Sequence, residues 1–173
     1  MKDYTMTEVS MNKNMKLSEH FTLGELTKTS YKTEDENIPS RVAIENLKNL
    51  CENWLEDLRY SYNILYKSTV AEPAEALGPS EGIIINSGYR SPEVNKRAGG
   101  SAISNHLSGC AVDIRVEGFE QAIRYASILL DISDGTKQDY DELYIERNGA
   151  GRYWIHFAVR PKDNRRKTRF IQT

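Results

Sequence analysis

At 173 residues, with 39% hydrophobic and 28% charged side chains, the chain is long enough for one domain with a real core. A net charge of −2 offers no electrostatic case for nucleic acid or an anionic membrane. No apolar run approaches the roughly 20 residues needed to span a bilayer, and two cysteines, Cys51 and Cys110, make no disulfide framework and read as small buried hydrophobes.

Residues Met1 to Met15 are polar and without helical period, and are expected to form a flexible arm. The first ten carry acids and no apolar stretch, which excludes a secretory signal, so the chain is expected to be made in the cytosol. Thr22 and Glu25 have capping-box spacing, so a short helix begins at Leu23 with Phe21, Leu23 and Leu26 as its apolar contacts. His20, just before it, reads as a loop histidine near the surface. Ser40 is a plausible N-cap for a long core helix whose stripe is Ile44, Leu47, Cys51, Trp54, Leu55, Leu58 and Tyr62. Lys67 to Ser80, with Pro73, Gly78 and Pro79, reads as a loop within one domain.

Gly82 to Ser87 is short and β-branched, a buried strand broken by Gly88-Tyr89-Arg90-Ser91-Pro92. Pro92 suits the first turn of a short helix through Ala98. A glycine-rich loop then leads to His106, and Cys110 to Arg115 alternates as a strand. Phe119, Ala122, Ile123, Ala126, Leu129 and Leu130 predict a second amphipathic helix. Two last strands, Glu142 to Glu146 and Tyr153 to Val159, flank an Asn-Gly loop that signals a hairpin. The segment 161–173 is basic and reads as a solvated tail.

Strand parity assigns faces. Tyr153, Ile155, Phe157 and Val159 form one apolar set, Cys110, Val112 and Ile114 another, and Leu143 and Ile145 a third. Asp113, Glu146 and His156 are then left on non-core faces, with His106 arriving from the preceding loop. Taken singly, each has an ordinary reading as a hydrogen-bonded or solvated residue. Together, two histidines and one carboxylate leave a fourth position open, the catalytic arrangement for zinc. Glu146 is the candidate general base, with a surface ion pair to Arg147 or Arg152 as its alternative.

Three pieces, Ser87-Gly88-Tyr89-Arg90-Ser91, Ser104-x-His106-x-x-Gly109-x-Ala111-x-Asp113, and Glu146 followed by Trp154-x-His156, resemble the zinc D-alanyl-D-alanine carboxypeptidase family. That family includes bacterial and phage peptidoglycan peptidases and shares its fold with hedgehog domains. The resemblance runs from about Leu17 to Val159. It implies one Zn²⁺ per chain held by His106, Asp113 and His156, with Glu146 as base and Asp141 or Glu142 as fallback. Arg90 would contact substrate and stabilise developing charge, while Ser104, Trp154 and Tyr89 would line the substrate site. The expected fold is α+β, helices on one face of a small, mostly antiparallel sheet and zinc on the other, with a single peptidase domain over 16–160. The implied activity is hydrolysis of peptidoglycan stem peptides, at D-Ala-D-Ala or a neighbouring linkage; the chain is expected to act as a monomer, with no nucleic-acid partner and no membrane insertion. A compact phage-type lytic enzyme, reaching the wall after lysis or from a phage particle, fits that setting. Two rivals stand beside it: a non-catalytic zinc module of the same fold, and a cytosolic D-Ala-D-Ala dipeptidase.

Overall fold

Thr22 closes the predicted capping box. Its backbone N–H donates to the Glu25 carboxylate at 2.8 Å, and its hydroxyl accepts from the Glu25 N–H, which starts helix α1 (Leu23–Leu26). In this computed structural model, residues 12–67 and 81–173 are described. Most of the predicted arm and all but the first residue of the loop beginning at Lys67 lie outside them. Residues 12–15 belong to the fold, because Leu23 donates to the Met15 carbonyl at 2.8 Å and Met15 packs on the core.

Ser40 caps α2 (Arg41–Leu50), accepting from the Ala43 N–H at 3.2 Å. The helix continues through one π-helical turn (Cys51–Leu55) into α3 (Glu56–Tyr66). The whole predicted stripe from Ile44 to Tyr62 is buried. Trp54 is fully enclosed with its ring 5.1 Å from that of Phe157, so this helix lies directly on the sheet. Burial of each such side chain contributes about 1.5–3 kcal/mol.

The sheet has five strands: β1 (Ile85–Ser87), β2 (Ala111–Arg115), β3 (Glu142–Arg147), β4 (Tyr153–Ala158) and β5 (Lys167–Gln172). Their order is β1-β2-β4-β3-β5, antiparallel except where β5 runs parallel to β3. Helix α4 (Pro92–Arg97) and a 3₁₀ turn (Asn105–Ser108) separate β1 from β2, and α5 (Phe119–Thr136) separates β2 from β3. Of the predicted inward set, Val112, Ile114, Leu143, Ile155, Phe157 and Val159 are buried in the core, Ile145 and Tyr153 are only partly buried against it, and Cys110 is buried outside that cluster. The α+β architecture expected from the sequence is therefore the architecture observed.

The buried strand expected over Gly82 to Ser87 is confined to Ile85–Ser87, and Ile84 is exposed. Two further expectations are corrected. The inward face of α5 carries Ala122, Tyr125, Ala126, Ile128 and Leu129, whereas Phe119 and Ile123 are exposed. Apolar residues sit on both flanks of this helix, so spacing alone does not select its face. Phe119 stacks at the sheet margin against Tyr153 and Phe170, at 5.3 and 6.0 Å. The basic tail is the second case: residues 167–172 form β5, which covers the free edge of β3, and the lost solvation is replaced by ladder hydrogen bonds.

Candidate metal centre

Cross-strand register builds one continuous row over the outer face of the sheet. Ser87 pairs with Asp113, Asp113 with His156, His156 with Tyr144, and Tyr144 with Arg169. His106 enters this row from the 3₁₀ turn, whose N-cap is Ser104; the Ser104 hydroxyl accepts from the His106 N–H at 3.3 Å. The turn ends on Gly109 at φ +70°, a left-handed conformation. A side chain there would also collide with the Ala43 carbonyl, so glycine meets two demands at once. His106, Asp113 and His156 are all buried, and their donor atoms lie within 4.8 Å of one another. Asp113 Oδ1 is 3.0 Å from His156 Nδ1 and 3.3 Å from His106 Nε2.

The chemistry of these donors fits a metal ion. His106 Nδ1 lies 2.6 Å from the Gly88 carbonyl, which only accepts, so the proton sits on Nδ1 and the Nε2 lone pair faces Asp113. His156 is arranged in the opposite sense. Its Nε2 donates to Glu142 Oε2 at 3.1 Å, leaving Nδ1 toward Asp113. Each imidazole thus has one nitrogen oriented by an acceptor and the other turned to the shared carboxylate, the outer-shell pattern of metal-bound histidines. Burial alone would pull the His156 pKa down, but hydrogen bonds to Asp113 and Glu142 carry it up to about 9. Burial pushes Asp113 upward, and the two histidines outweigh it and hold the carboxyl far below the usual range.

Around the donors, the acidic groups divide into committed and free ones. Glu142 accepts from His156, from Asn105 Nδ2 at 3.0 Å, and from Arg165 Nη2 at 2.7 Å. The His156 hydrogen bond is the main reason its pKa falls to about 2. Asp141 is fully buried and takes a two-pronged contact from Arg165 at 2.7 and 2.6 Å. The Glu146 carboxylate, by contrast, accepts no hydrogen bond among the described residues. Burial raises its pKa, within electrostatic reach of His156, Asp113 and Arg90.

Most predicted site residues meet in one place. A cleft of about 760 Å³ is lined by Arg90, Ser104, His106, Asp113, Glu146, Trp154 and His156, among others. A second hollow of about 310 Å³ continues past Asp113 toward Tyr31 and shares Arg90 and Trp154 with the first. Arg90 donates from Nε to Ser87 at 2.8 Å and from Nη2 to Asp113 Oδ2 at 2.5 Å, so it holds the side of Asp113 that the histidines leave open. Tyr89 is the exception. Its ring is buried in the hydrophobic core, and its carbonyl accepts from Asn37 Nδ2 at 3.1 Å, so it supports the turn from below and does not line the cleft.

Several residues of the site carry no local signal. Asn37 sits at φ +53° with its carboxamide bridging the Thr27 and Tyr89 carbonyls and the Ser91 N–H, which fixes the turn that carries Arg90. Tyr144 stacks on His156 at 5.4 Å, and Arg165 reaches the site from what looked like a tail. Strand parity alone places Tyr144 outward beside Glu146, without a role; nothing in the sequence points to Asn37 or Arg165. His20, expected to be a surface loop residue, is partly exposed and hydrogen-bonds Glu56 at 2.8 Å, apart from the cluster.

Among the described residues no helix is long and apolar enough to cross a membrane. No curated protein matches the chain. A family model, Peptidase M15, matches residues 19–138, well over half of the sequence. The matched stretch contains Arg90, His106 and Asp113 and stops before Glu146 and His156, which the sheet brings to the same cleft by register. With the model covering the frame and the first donors, and the donor set completed on the face where parity predicted it, the chain belongs to the peptidase M15 family, whose members are typically zinc-dependent peptidases.

Proposed function

We propose that the protein is a zinc peptidase that hydrolyses peptide bonds in peptidoglycan stems, at D-Ala-D-Ala or a neighbouring linkage. The hydrolytic part rests on one observation: a free, partly buried glutamate, Glu146, lines the same cleft as the His106-Asp113-His156 donor set. A purely structural metal module has no need of such a carboxylate. The peptidoglycan part rests on the motif resemblance carried by Ser87 to Ser91, Ser104 to Asp113, and Trp154 to His156. The hollows on either side of Asp113 favour an extended peptide over a free dipeptide.

Bound by the donor set, zinc supplies Lewis acidity at a carbonyl oxygen and lowers the pKa of water toward about 7. The side chains do the rest. Glu146 removes a proton from the attacking water and delivers it to the leaving amine nitrogen as the C–N bond breaks, releasing a carboxylate and an amine. Its desolvation keeps the carboxylate basic enough for that transfer. Arg90 fixes Asp113, and its N–H groups not spent on Ser87 and Asp113 remain for a substrate oxygen. Ser104 and Trp154 form the cleft walls beside the donors.

In this reading the protein acts as a monomer on the cell wall, as a phage-type lytic enzyme released at lysis or carried in a particle. The test is to incubate zinc-loaded protein with purified peptidoglycan and identify the new amino and carboxyl termini by mass. Stem fragments with one new pair of termini are expected. Absence of cleavage at full zinc occupancy would overturn the reading in favour of a zinc-binding module.

A further inference from the structure

Strand β5 lies outside the stretch that the family model matches, yet it forms one wall of the cleft. In its parallel register with β3, Thr168 and Phe170 share the face of Leu143 and Ile145, so Lys167, Arg169 and Ile171 share the face of Glu142, Tyr144 and Glu146. Arg165, just before the strand, is spent on Asp141 and Glu142. Lys167 and Arg169 make no ion pair among the described residues, and both line the cleft. Glu142, the carboxylate beside Lys167 in register, is already paired with Arg165 and accepts from His156. In a chain of net charge −2, this wall is a local reversal of sign directed at the site.

Register also sets its distance from the chemistry. Arg169 pairs with Tyr144 and Tyr144 with His156, two strand spacings, or roughly 10 Å. An extended peptide advances roughly 3.3 Å per residue, so this span is about three residues. Building on the peptidase reading, we infer that Lys167 and Arg169 form an anion subsite for a carboxylate about three residues from the hydrolysed bond. The substrate class is an acidic peptide of four or so residues or longer. The carboxylate is either an acidic side chain or a free carboxyl terminus. A dipeptide places its only carboxylate one residue from its bond and leaves the subsite empty, so the subsite selects against free dipeptides.

The experiment uses the full-length zinc-loaded protein and synthetic stem peptides with an acidic residue about three positions from the cleaved bond. These are made as free acid, as side-chain amide and as terminal amide, the last two separating the sources of the carboxylate. One of the two amidations is expected to raise KM about tenfold while kcat stays nearly constant, the pattern of a lost charge-assisted contact away from the reacting atoms. The Lys167→Gln/Arg169→Gln protein should show the same increase with the free acid and no longer distinguish acid from amide. Equal KM for acid and both amides in the unmodified protein overturns the inference, as does a persistent acid preference in the double variant. Binding is read separately, by calorimetry of the same peptides on zinc-loaded Glu146→Gln protein. Acid-selective binding without cleavage by the unmodified protein would sink the peptidase reading and leave the subsite standing; cleavage without acid preference would do the reverse.

Discussion

Replacing Glu142 by alanine removes the acceptor of the His156 Nε2–H and of the Tyr144 hydroxyl, while Arg165 and Asn105 stay paired with Asp141: Arg165 keeps contacts of 2.7 and 2.6 Å, and Asn105 keeps one of 2.8 Å. The imidazole is buried, so water does not readily replace the lost partner, and the ring is freer to rotate away from the Nδ1-inward orientation. Loss of such an outer-shell partner weakens metal binding about 10- to 100-fold, or about 1.4–2.7 kcal/mol. An opposing effect must be separated. Glu142 also helps hold the His156 pKa up to about 9, so its removal relieves some competition from protons at neutral pH. The loss is therefore smallest at neutral pH and reaches its full size above about 9, where the imidazole of either protein is neutral. Competition titrations with a chromophoric chelator across that range read it directly. Glu142→Gln, whose amide oxygen still accepts, should lose much less. If Glu142→Ala binds zinc like the parent at every pH and nevertheless cannot hydrolyse, Glu142 is the base and the division of roles with Glu146 is wrong.

Glu146→Gln should retain full zinc stoichiometry and lose about 10²- to 10⁴-fold in kcat, the range for a positioned proton-transfer group; unchanged turnover on peptidoglycan fragments would refute its assignment. Zinc binding near neutral pH should release a proton from His156, so that apparent affinity rises with pH until about 9 and then levels, as calorimetry in buffers of different ionisation enthalpy would show. The metal-free protein should melt highest between the two ordinary values of 4.5 for Glu142 and 6.5 for His156. The His156 contribution, with its folded pKa raised, is complete below 6.5 and is lost as pH rises through about 9. Those of Glu142 and Asp113, with folded pKa values lowered, are lost in the opposite direction, for Glu142 as pH falls through about 2. A melting temperature still rising at pH 9 would contradict this balance. Gly109→Ala forces a Cβ into a left-handed residue at φ +70° and against the Ala43 carbonyl. It should cost about 2 kcal/mol, or about 4–8 °C in a thermal melt, and an unshifted Tm would show that the turn is not constrained as described.

The candidate site residues were legible because their signals are local. His106, Gly109 and Asp113 lie within eight positions, and alternation on β2, β3 and β4 is a property of the extended backbone, so the faces of Asp113, Glu146 and His156 follow before any strand is placed. Helix starts at Thr22 and Ser40 were equally readable, since a cap is satisfied within three or four residues. What the sequence alone determined was therefore the candidate donor set, the face it occupies and the long core helix. The tertiary structure decided which strands are neighbours, and that depends on contacts between residues far apart in the chain. It separated Glu142 from Glu146 by bringing Arg165 and Asn105 to only one of them. It drew Tyr89 into the core, turned Tyr125 and not Phe119 inward, and made a basic tail into the strand that walls the cleft. A helical pattern with apolar residues on both flanks does not select its inward side, and a run of cations reads alike in a solvated tail and in an edge strand. Only the partner across the sheet tips the balance.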